Sequence, residues 1–110
     1  MNGGSFNTGG FAQTVGSLVL AENSTMIMPS SVHTLTVTAI GSFTTGKILT
    51  INGWEGTYAS PGATATKGKI IINGTALNTT ILSQIKFYNA ADATTHSAIQ
   101  LGTKEVVAGN

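Results

Sequence analysis

GKILTING at Gly46–Gly53 and GKIIING at Gly68–Gly74 are nearly one phrase written twice within a short span of the chain. Each opens Gly-Lys-Ile, runs through aliphatic and β-branched residues, and closes on Ile-Asn-Gly. Such runs favour a pleated, half-buried strand, and Asn and Gly tolerate the positive φ of a tight corner. Two strands entered and left in the same way suggest successive rungs of a stacked coil. On that reading Ile48–Ile51 and Ile70–Ile72 pair in parallel. Asn-Gly also favours a hairpin, and antiparallel pairing of the two would make a β-sandwich instead. The fold turns on this pair.

Working outward, the flanking chain carries the same strand signals. FAQTVGSLVL (Phe11–Leu20) ends strongly apolar, AENS (Ala21–Ser24) reads as a turn, and TMIM (Thr25–Met28) is a short strand stopped by Pro29. VHTLTVTAI (Val32–Ile40) alternates, with Leu35, Val37 and Ala39 on one face and Thr34, Thr36 and Thr38 on the other. That is a half-buried strand showing a threonine comb outward. Between the two echoes lies a long turn-rich connection, Gly53–Gly68, flanked by Trp54 and Tyr58 and broken at Pro61-Gly62. ALNTTILSQ (Ala76–Gln84) predicts one helical turn capped by Asn78 or Thr79. IKFYN (Ile85–Asn89), a polar loop AADATTHS (Ala90–Ser97), AIQL (Ala98–Leu101) and EVVA (Glu105–Ala108) complete the series. Strand centres at Leu18, Leu35, Leu49, Ile71, Phe87 and Val106 recur at fairly even intervals, a spacing that suits one solenoid coil per strand and fits a sandwich or barrel as well.

The composition agrees with short strands and turns. Of 110 residues, 18 are Thr, 14 Gly, 9 Ser and 8 Asn, while 41% are hydrophobic and gathered into strand-length runs. Cysteine is absent, which excludes disulfides and thiolate chemistry. With five Lys, no Arg, and a net charge of +1, the chain offers no field or bidentate fork for nucleic acid. No run reaches the ~20 apolar residues of a membrane-spanning helix, so no membrane insertion is expected. The first residues, MNGGSFNTGG, lack the pattern of a signal peptide. Residues 1–10 read as a flexible Gly-rich arm, and 11–110 as a single all-β domain. Phe6 and Phe11 would be the arm's anchors on a neighbouring subunit.

From Gly46 the chain runs Gly-Lys-Ile-Leu-Thr-Ile-x-Gly-Trp, a Gly/Thr-rich loop and a second Gly-Lys-Ile. There follow Leu-x-Thr-x-x-Leu-x-Gln-Ile-Lys-Phe and Ile-Gln-Leu-x-x-x-Glu-Val-Val. This order resembles the C-terminal capping region of bacterial surface proteins whose stalks carry autotransporter-type β-strand repeats. GSLVLAENSTMIM and HTLTV resemble the rung before it. The resemblance covers about residues 11–108 and rests on structural positions. It implies an extracellular or cell-surface location, a β-solenoid or solenoid-capping fold, and a structural or adhesive role.

Catalytic and ligand chemistry finds little footing. His33 and His96 stand far apart in the sequence, with no ligand at metal spacing. The four acids, Glu22, Glu55, Asp92 and Glu105, are scattered. No Gly-rich loop precedes a helix in the manner of a phosphate cradle. Lys47 and Lys69 open strands and belong at a sheet rim. We therefore expect no enzyme, no cofactor and no metal. Two features remain. Trp54 and Tyr58 can stack on sugar rings, although Trp54, directly after a strand, suits packing over the core end better. The comb Thr34, Thr36, Thr38 would suit ice if several stacked rungs repeated it. The expectation is thus an all-β chain, a short β-solenoid or solenoid cap (alternatively a β-sandwich). It would serve as a stalk, an adhesin segment or a filament subunit. Its partners would be other copies of itself or the rest of a larger surface protein. A carbohydrate- or ice-binding module is the alternative.

Overall fold

The computed structural model describes residues 4–7, 9, 12–28, 33–54, 68–73, 77–89 and 93–109. The described residues are all-β apart from one short helix. The strands are β1 (Ser5–Asn7), β2 (Gln13–Leu20), β3 (Ser24–Ile27), β4 (Thr34–Phe43), β5 (Leu49–Asn52) and β6 (Lys69–Ile72). Helix α1 (Thr79–Ser83) precedes β7 (Ile85–Asn89), β8 (Thr94–Gln100) and β9 (Glu105–Ala108). Together they form one curled nine-stranded sheet in the order β1-β3-β5-β7-β8-β9-β6-β4-β2.

That order means the chain alternates between two limbs. Odd strands β1, β3, β5 and β7 pair in parallel along one limb; β2, β4 and β6 pair in parallel along the other. Paired residues lie far apart in sequence: Ser5 meets Thr25, Gln13 meets Leu35, Ser24 meets Leu49, and Leu49 meets Ile85. One repeat of the pattern therefore takes two strands, not one.

The two echoes do not pair with each other. Gly46–Gly53 supplies β5, whose neighbours are β3 and β7; Gly68–Gly74 supplies β6, whose neighbours are β4 and β9. They are successive strands on opposite limbs, so neither parallel stacking nor a hairpin between them occurs. Even their glycines serve different needs. Gly53 adopts a φ of +81°, and a Cβ there would collide with the Met28 carbonyl oxygen. At Gly68 the constraint is space, because a Cβ would stand 2.5 Å from Cε1 of the His33 ring.

In-register pairing aligns apolar side chains into rows. Phe6, Met26, Ile51 and Phe87 follow one another down the first limb, and Leu35, Ile70 and Val106 down the second. Adjacent strands stand about 4.8 Å apart, so each row is a continuous stack of side chains in contact. All but Phe6 among these are buried. Alternation in β4 holds through Val37 and then fails: Ala39, expected inward, is exposed. Beyond it the register between β2 and β4 shifts, since Leu18 meets Ile40 but Leu20 meets Phe43. The extra residue lies in β4, as in a β-bulge, and Ile40 and Phe43 on either side of it pack against the core.

One end of the sheet is closed by reversal of direction. β8 runs antiparallel to β7 through Thr94–Ser97, and its second half pairs antiparallel with β9, which pairs antiparallel with β6. Thus Thr94–Ser97, expected as a loop, is strand. All four residues of β9 are buried, Glu105 included. Leu77, Ile81 and Leu82 pack against the core beside this end. α1 begins where expected: the Ile81 N–H donates to the Asn78 side-chain oxygen at 2.8 Å. Gln100 joins the pieces, accepting from the Leu77 N–H at 2.9 Å and donating to the Ile72 carbonyl at 3.0 Å.

Candidate functional site

The residues singled out in the sequence scatter over this frame. Trp54 follows β5 and is buried (3% exposed), its ring centroid 4.7 Å from that of Phe87 at a tilt of 58°. The indole is engaged in the core and is not presented to a sugar. Tyr58 and Phe11 lie outside the described residues, as does the connection 55–67. Phe6 sits in β1, half-buried and in register with Met26, so Ser5–Asn7 is a paired strand and not a free arm.

The threonine comb lies on the outer face of β4, with Thr34 and Thr36 half-buried and Thr38 exposed. Across the ladder, Thr14 lies beside Thr36, but the next position is Ile71. On the other limb Thr25 lies beside Thr50, and the next position is Lys86. Each limb thus brings two threonines together before the row breaks.

The ionisable residues stay dispersed. Among the described residues no group of three or more His, Cys, Asp or Glu lies together. His33 is buried beneath Gly68, while His96 lies in β8 with its Nε2 3.0 Å from the Thr94 hydroxyl. Lys47 and Glu22 form an ion pair of 3.1 Å between half-exposed and exposed side chains, worth about 1 kcal/mol or less. Lys69 opens β6, as a rim position requires. Among the described residues no helix is long and apolar enough to cross a membrane.

Buried polar groups act as ties within the fold. Gln84 donates to the carbonyls of Thr44 (2.7 Å) and Lys47 (3.1 Å), holding the turn before β5 against the end of α1. An unsatisfied buried carbonyl costs about 1–3 kcal/mol, so Gln84 and Gln100 are each worth more than an average surface bond.

What the sequence reading missed is the end opposite the closure. Both edge strands of the sheet, β1 and β2, lie there. Between them is an apolar cavity of about 260 Å³, walled by Phe6, Val15, Leu18 and Val19 and floored by Met26 and Leu35. The charged residues of the chain all come after Ala21, so neither edge strand carries a charge. That uncharged run was visible in the sequence; its placement at one end was not, because it depends on which strands have neighbours. Compared with known proteins, the chain matches no family model, no curated protein and no solved structure.

Proposed function

We propose that the curled sheet is a short β-solenoid closed by a cap. In this reading the chain is a non-enzymatic structural module of a bacterial cell surface or extracellular matrix. The observation that supports it is the alternation of strands between two parallel limbs, with apolar rows in register and an antiparallel pair closing one end. Such a frame is held by neighbouring repeats alone, and so suits a stalk, an adhesin segment or a subunit that assembles. The location is carried by the resemblance of Gly46–Val107 to capping regions of surface stalks. Antibody raised against the purified protein should label intact source cells. Labelling that needs permeabilised cells would remove the surface assignment.

A carbohydrate- or ice-binding module is the second reading. The pairs Thr25–Thr50 and Thr14–Thr36 favour the ice-binding form, whereas burial of Trp54 weakens the sugar-binding one. Thermal hysteresis that disappears on Thr50→Val would favour this reading over a purely structural role, and a flat glycan array would argue against sugar.

A further inference from the structure

We draw no further inference here: the strongest candidate, the apolar cavity of about 260 Å³ between β1 and β2, carries none, because nothing in the structure shows what covers that end of the sheet.

Discussion

The two ends of the sheet are built from similar strands and finished in opposite ways. At the closed end β9 is buried along its whole length, with β8 on one side and β6 on the other. At the open end β1 is short and nowhere fully buried, and β2 is covered only where Leu20 reaches the core. Composition alone does not separate them, because apolar residues are common to both. The difference lies in chain direction. Parallel strands joined by crossovers always leave one more edge, whereas a reversal such as β8–β9 supplies a strand that satisfies both limbs at once. A stacked β-structure is ended by a change of direction more than by a change of residue type.

Substitutions can probe that contrast. The largest effect is expected at the closed end: Phe87→Ala removes a fully buried ring against Trp54 and should cost about 3–5 kcal/mol. Val15→Ala at the open end should cost about 1 kcal/mol or less, because its side chain is only half-buried. Urea titrations giving equal losses would break the distinction between the ends. Between them, Gly53→Ala forces a left-handed backbone and a collision with the Met28 carbonyl oxygen. A loss of roughly 2–3 kcal/mol is expected, read as a fall in thermal midpoint. Its absence would mean the β3–β5 corner can open without cost. Gln100→Leu strips partners from the Leu77 N–H and the Ile72 carbonyl, for about 1–3 kcal/mol. Hydrogen exchange should rise at Leu77 before it rises at Leu35; uniform acceleration would argue against a locally tied cap. The smallest effect is expected from Asn78→Ala, about 1 kcal/mol from the lost helix cap, visible as a shifted denaturation midpoint with an unchanged slope.

Much of the secondary structure was legible from residue patterning. IKFYN and EVVA are strands with the bounds read from sequence, and the Asn78 cap precedes the helix where expected. These are local matters, decided by β-branched runs, turn residues and a capping side chain. Partnership was not legible. The echo of Gly46–Gly53 in Gly68–Gly74 reflects two strands doing similar local work on different limbs, and pairing is set by the whole path of the chain. Thr94–Ser97 looked like a loop because its residues are polar and mostly exposed, yet it is held as strand by β7. His33 and Glu105 gave no hint of burial, since nothing near them in sequence distinguishes a covered polar residue from a solvated one. Trp54 was readable as a packing residue from its position after a strand, while the open end became visible only once neighbours were assigned.

β9 also sets the order in which the molecule can be completed. It spans the gap between limbs as the last strand of the series, joining β8 to a β6 made before α1, β7 and β8. A nascent chain that has released only β1–β7 leaves β6 without its neighbour β9 and β7 without its neighbour β8. Its strand pairs join residues distant in sequence, which makes their formation slow relative to local structure. The interval before β9 arrives is therefore when aggregation competes most strongly with folding, and slowing synthesis within β8 would lengthen it.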